Sequence, residues 1–484
     1  MRILDSIKRR YGDLLSPSIS SYRDYISLKT EHRAALLGSI VSIAISIFIT
    51  YFSWIGYRFE LAFLLAVSGV LLSLYRVITR VSRALERRKG FVEELPFLVF
   101  MASVTAKTGV ELIDALKFIA VHDRGGRVFK YFSSLSKRVI NLSRYISIYD
   151  ALESIAGTPR IVRKAFLNYV ANIAQGTGIE ALRSMGAEMI RESSRRISRI
   201  IDISSQGGLL AVMVMTTAPM LLLGISSIIG SYIALTASIL ITMMTPLIII
   251  AIPSIPYPLR PIPTITSRIY IMLKVLAILA LTGLYIVLFI PLLLPSQWLI
   301  RSSITLFIPS LLLIALGLVL TTVFISYIRS VEVIKDLLGD AERYVRVYRT
   351  LAGFEVDRYL KRARLSTPWL MSYIDLSIRF LMEKGEIDPH VFNRFSDEIG
   401  DILSKNVNRI LVSLIPLSAL LLQPIFLSQI MVMMHAEGLY TFLLSSVSIL
   451  ASSLIVSKVF FGEIYNTIIP GITTAIFFLI SPLR

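Results

Sequence analysis

A chain of 484 residues that is 55% apolar, only 17% charged and of mean hydropathy +0.71 is excluded as a soluble globular enzyme, because soluble domains carry about a quarter charged residues. Its formal charge is +18 and it has no cysteine, which rules out a disulfide framework, a thiolate nucleophile and a cysteine-based metal site. No Asp, Glu, Lys or Arg occurs between Asp202 and Arg260, Lys274 and Arg301, Arg301 and Arg329, or Arg409 and Glu437, and each run exceeds the roughly 20 residues that cross a bilayer as a helix. The expected fold is all-α, a polytopic membrane protein of about nine spans with two cytoplasmic helical-bundle domains.

In chain order, residues 1–33 carry seven basic and four acidic side chains and read as a cytoplasmic N-terminal arm. The first apolar run lies too deep for a cleaved signal peptide, so an uncleaved anchor is expected. A transmembrane pair follows in 34–78, with spans at 34–54 and 59–78. Residues 79–206 form the first, basic cytoplasmic domain. Residues 207–328 hold four spans (207–229, 231–252, 269–294 and 304–328), residues 329–409 the second cytoplasmic domain, and residues 410–484 three spans (410–434, 439–457 and 464–481). The uncharged stretch 203–259 must fold as two spans turned at Gly230-Ser231. Prolines inside spans, at 219, 246, 291, 416, 424 and 470, require support from neighbouring helices. With the N-terminus inside, 47 of the 50 basic residues fall on the cytoplasmic side, as the positive-inside rule demands. Topology thus accounts for most of the net charge, without nucleic acid.

Within the first polar block, Glu93, Glu94, Pro96, Leu98, Met101, Ala102 and Thr105 fit a helix that ends near Gly109. Glu111 to Val121 continues as a second helix. Ser147-x-x-Asp150 has the form of a capping box, and Thr158-Pro159 places an N-cap before a first-turn proline. That helix should stop at Gly176-Thr-Gly178, and a last long helix, 179–205, should run into the membrane. Gly176-x-Gly178 is not a dinucleotide fingerprint, since it lies between helices and Ala181 takes the third glycine position. The second polar block opens with Val331, Ile334, Leu338, Ala341, Val345, Tyr348 and Ala352, a heptad stripe suited to a bundle or to a coiled-coil partner. Glu342–Arg346 and Asp357–Lys361 are spaced as i,i+4 pairs.

The ends of the two blocks align. Gly157-Thr158-Pro159 faces Ser366-Thr367-Pro368 and Gly176 faces Gly385. After one inserted residue, 178–200 aligns without gaps with 388–410, matching Glu188 with Glu398, Ser194 with Ser404, Arg195 with Lys405 and Arg199 with Arg409. The order of Thr-Pro, helix, Gly, helix and span recurs twice, which points to internal duplication.

Catalytic chemistry is sparse. The four histidines are scattered, no phosphate-binding G-x-x-x-x-G-K-[ST] occurs, and the carboxylate pairs Asp336/Asp340 and Glu383/Glu386 sit among cations as solvated helix faces. No catalytic residue, cofactor site or metal site is expected. The spans lack the buried ionisable groups that mark a transporter pathway, and Gln206, Gln423 and Gln429 read equally as helix–helix contacts. A transporter or channel component is the alternative reading.

Paired spans, a basic helical block with Glu94-Leu95-Pro96 and Gly109-Val-Glu-Leu-Ile-Asp-Ala-Leu116, further spans and a second such block together resemble the type II secretion system F / TadC family. The arrangement is most similar to its archaeal branch, the membrane platform of archaella and archaeal type IV pili. The resemblance implies a non-enzymatic platform that binds a hexameric cytoplasmic secretion ATPase in trans, handles pilin subunits and works as a homodimer or higher oligomer. Arg160, Arg163 and Lys164, with Arg195, Arg196 and Arg199, are the candidate ATPase contacts. For the last three, anionic lipid headgroups are an equal alternative.

Overall fold

The computed structural model describes residues 90–105, 109–123, 126–154, 160–230, 232–253, 255–263, 267–289, 303–362, 366–384, 387–433 and 439–481. The expected N-terminal arm, the spans at 34–54 and 59–78, and Thr158-Pro159 lie outside these residues. The chain divides into two compact units, Met1–Met189 and Ile190–Arg484. Apart from two three-residue strands and one 3-10 turn, every regular element described is an α-helix.

The first unit contains α1 (90–104), α2 (Leu112–His122), α3 (Lys130–Leu142), α4 (Ile148–Ser154), α5 (Arg160–Ala174) and the start of α6 (Gly178–Ile229). Its helix ends are held by acidic side chains, because the first N–H groups of a helix have no intrahelical acceptor. Glu111 and Asp114 form a capping box on α2, and Tyr149 Oη donates to Glu111 at 2.8 Å. Asp123, 3% exposed, gathers the amides of Arg127, Val128 and Phe129 and so shapes the turn into α3. The N-cap of α3, Phe129, has no capping side chain. Glu94 of α1 supplies one from 37 residues away, accepting from the Tyr131 and Phe132 amides at 3.1 Å.

As the sequence predicts, Ser147 and Asp150 bond to each other at the start of α4. Helix α5 stops where expected: Gly176 N donates to Ile173 O and Thr177 N to Asn172 O, both at 2.9 Å. This Schellman pattern needs a left-handed residue, and Gly176 has φ +76°. Leu112 N donates to Tyr169 Oη at 3.1 Å. Burial pushes the Tyr169 phenol up to about 12, so it stays protonated at any physiological pH. Phe97, Leu98, Met101, Phe129 and Phe132 fill the core between these helices.

The second unit takes in the rest of α6, then α7 (Tyr232–Ala251), a 3-10 turn at Tyr257–Leu259, β1 (Pro261–Pro263), α8 (Ser267–Phe289), α9 (Ser303–Tyr348), α10 (Asp357–Leu360), β2 (Ser366–Pro368), α11 (Trp369–Lys384), α12 (Pro389–Met433), α13 (Leu439–Phe461) and α14 (Ile468–Ile480). Among the described residues five helical segments are long and apolar enough to cross a membrane: Gly178–Ser226, Ile233–Ala251, Phe307–Tyr348, Phe392–Met433 and Tyr440–Phe461. Two shorter apolar helices run over Ile269–Tyr285 and Ile468–Ile480. The protein is therefore membrane-embedded. The break between the spans predicted at 207–229 and 231–252 falls at Gly230, as expected.

Four of the five segments bury only 28–38% of their most apolar window, leaving broad faces for lipid, whereas α13 buries 94%. Helix α13 is thus the enclosed centre of the bundle. Its serines at 445, 446, 448, 452 and 453 satisfy themselves on carbonyls three or four residues back, so small side chains admit close neighbours without orphan hydroxyls.

The heptad stripe is covered inside the chain: Val331, Ile334, Leu338, Ala341 and Val345 are buried, while Tyr348 ends α9 and is exposed. Glu342 pairs with Arg346 as read from the spacing. Asp357 does not pair with Lys361; its carboxylate meets Arg379 at 3.0 Å, because α11 packs beside it. The short strands pair antiparallel, with Ile262 opposite Thr367. Trp369 N donates to Arg260 O and Tyr327 Oη to Leu259 O. The loop between α7 and α8 is thereby stitched to the segment that opens α11.

Candidate functional site: the junction of arms and spans

Helices α6, α9 and α12 have 52, 46 and 45 residues, or about 78, 69 and 68 Å at 1.5 Å per residue. A hydrocarbon core is about 30 Å thick, so each helix carries a polar arm continuous with its apolar part. Helix α6 and α12 run parallel. Arg191 Nε donates to Glu398 Oε1 at 3.2 Å, Ser194 Oγ to Asp401 Oδ2 at 2.5 Å, and Lys405 reaches both Ser194 and Asp401. Further along, Gln423 Nε2 donates to Met215 O at 3.0 Å. The partners stay 207 to 211 residues apart throughout. Over this stretch the two blocks align in sequence at an offset of 210, so the bonded helices are the two that the alignment matches, although no bonded pair is itself an aligned pair.

The contact at Met215 has a local cause. Pro219 has no N–H, so the carbonyl four residues earlier loses its helical donor. Gln423 supplies one. Just ahead of α14, Asn466 O accepts from Ser457 Oγ at 2.6 Å. Helix–helix contact is thus the role of Gln423, whereas Gln206 and Gln429 are exposed.

Where arms meet spans, cations hold the C-terminal ends of neighbouring helices, whose last carbonyls lack donors and carry the negative end of the helix dipole. Lys458 donates to Ile249 O and Ile252 O at the end of α7. Arg409, 4% exposed, donates to Val459 O at 3.2 Å and Phe460 O at 3.1 Å at the end of α13. Lys274 pairs with Glu463 at 2.8 Å, Tyr270 Oη donates to the same carboxylate, and Lys274 lies 4.4 Å from the Tyr270 ring centroid. The sequence shows these charges only as markers at the ends of apolar runs, so their capping roles were not legible there.

The candidate contact residues fall in different units. Arg160 opens α5, and Arg163 and Lys164 on the same helix are exposed. Arg195, Arg196 and Arg199 are exposed on the arm of α6, in the second unit. Arg199 aligns with Arg409 yet does not cap a helix: Lys458 holds the end of α7 instead. Among the described residues no three of His, Asp and Glu come together as a metal site. Comparison with protein-family models, curated proteins and solved structures returned no match.

Proposed function

We propose that the protein is the membrane platform of a type IV pilus-like assembly machine, coupling a cytoplasmic secretion ATPase to the insertion of pilin subunits into a filament. The observation that carries this reading is the parallel pair α6/α12, in which polar arms continue unbroken into apolar spans and are bonded together at both levels. A force on such arms is delivered inside the bilayer without an intervening hinge. Nine spans, a cytoplasmic N-terminus, two cytoplasmic domains of duplicated origin and a homodimeric or higher assembly complete the proposal. The β1–β2 ribbon supports the topology, since it ties the loop around Arg260 to the polar block 329–409.

The chain has no native cysteine, so single cysteines report topology without background. An impermeant maleimide on intact cells should label a cysteine at Trp298 and spare cysteines at Arg163 and Asp388. The reverse pattern overturns the orientation.

The ATPase contact is assigned to the exposed face of the α6 arm. Arg195 and Arg199 lie one turn apart on one side of the helix, with Arg196 about 100° around it. Exposed charge pairs contribute only about 0.2–1 kcal/mol each, and reversal adds repulsion. Arg195→Glu with Arg199→Glu should therefore weaken capture of the ATPase and abolish filaments at unchanged membrane level. Lower insertion with unchanged capture per inserted molecule would assign the arginines to lipid. The purified protein should hydrolyse no ATP alone while changing the turnover of the ATPase; hydrolysis by the protein itself would sink the platform reading.

A further inference from the structure

Arg409 is a buried cation without a carboxylate partner among the described residues. Its Nη1 serves the end of α13, its Nε donates to Asn406 Oδ1 at 3.4 Å, and its shielded Nη2 has no hydrogen-bond partner among those residues. Such a charge is costly, and an apolar side chain of similar size is often as stabilising or more so. The cost falls at a particular place: Arg409 stands where the arm of α12 becomes its span, and what it grips is α13, the most enclosed of the spanning segments among the described residues.

We propose that Arg409 is the positioning residue through which displacement of the α12 arm reaches the central helix α13. The guanidinium is a rigid fork of five donors, and the last turn of α13 presents several carbonyls without helical donors. With a spare Nη2, the fork exchanges one carbonyl for the next when α12 shifts by about one 1.5 Å residue rise, so the grip persists through the movement. Lys458 extends the linkage from α13 to α7. The aligned Arg199 is exposed, so the linkage is one-sided: only the second half of the duplicated frame drives the centre. This holds whatever partner moves the arm, and does not depend on the platform reading.

The test is a double-mutant cycle on the full-length protein in lipid nanodiscs, read by amide hydrogen exchange. Glu398→Lys sets a cation against Arg191 and disturbs the arm about 16 Å along the helix from Arg409. In the parent protein it should raise exchange over residues 456–463 about fivefold to tenfold. In Arg409→Leu the same arm substitution should add nothing to the exchange of that segment, although the starting level will be higher. Additive effects would mean a merely structural cap, and no response in the parent protein would remove the linkage. Should Arg409→Leu fail to accumulate, Arg409→Lys keeps the charge but not the fork. It should then transmit less than half of the response, and full transmission would overturn the proposal.

Discussion

Gly317→Ala should strongly destabilise the apolar bundle, by about 3 kcal/mol, the upper end of what overpacking costs. A Cβ at Gly317 of α9 would lie 2.2 Å from the backbone nitrogen and 2.4 Å from the Cα of Ile468 in α14. Backbone has no rotamer to give, so the two helices must part. The approach is mutual: a Cβ on Gly471 of α14 would come within 2.7 Å of Ile314 N. Parting the helices also breaks the bond from Thr467 Oγ1 to Leu313 O at 2.7 Å and that between Ser310 and Thr474. The control is Gly283→Ala in α8, where a Cβ meets nothing within 4 Å; there alanine should be neutral or should stabilise by up to about 1 kcal/mol through helix propensity. Unfolding of both variants in mixed micelles by a graded denaturing detergent compares them directly. Equal midpoints would disprove the close packing.

Glu94→Ala is expected to unfold or loosen the first unit. The side chain is fully buried, and its carboxylate holds two amides of the first turn of α3. Hydrogen bonds to a charged group contribute about 1.5–3 kcal/mol each, and removing the acceptor leaves buried donors unsatisfied. A loss of about 3–5 kcal/mol is comparable with much of a domain's stability of about 5–15 kcal/mol. Glu94→Gln keeps an acceptor oxygen and should lose roughly half as much, since neutral bonds are about half as strong. Limited proteolysis between α2 and α3 should report the order alanine, glutamine, parent from fastest to slowest. Glutamine as fast as alanine would show that shape at this position, rather than charge, carries the effect.

What the sequence made legible was local. The turn at Gly230, the stop at Gly176, the capping pair Ser147/Asp150 and the stripe from Val331 to Val345 all depend on residues a few positions apart, and all are present. What escaped were contacts made across about 200 residues. Nothing near Pro219 announces Gln423, and nothing near Ile249 announces Lys458. Asp357 has a cation four residues on, yet meets Arg379 because tertiary packing outweighs a weak surface pair. The alignment matches the N-terminal stretch of α6 with that of α12, but does not show that these two helices bond to each other. Nor does an alignment of Arg199 with Arg409 reveal that one faces solvent while the other is swallowed by the bundle. For the candidate site, the sequence supplied the exposed arginines and missed the role of the buried Arg409.

The carbonyl that Pro219 leaves open has a consequence for how the protein is made. Its donor, Gln423, is synthesised 208 residues later, after α7, α8, α9 and the whole second polar block have emerged. An unpaired backbone carbonyl in hydrocarbon costs several kcal/mol, so nascent α6 cannot settle against its final neighbours when it first enters the bilayer. The same delay governs the end of α7, which waits on α13 for Lys458. Biogenesis therefore closes from the C-terminal end: chains halted before α13 leave the translocon with open helices, and these are the species a membrane quality-control protease should recognise.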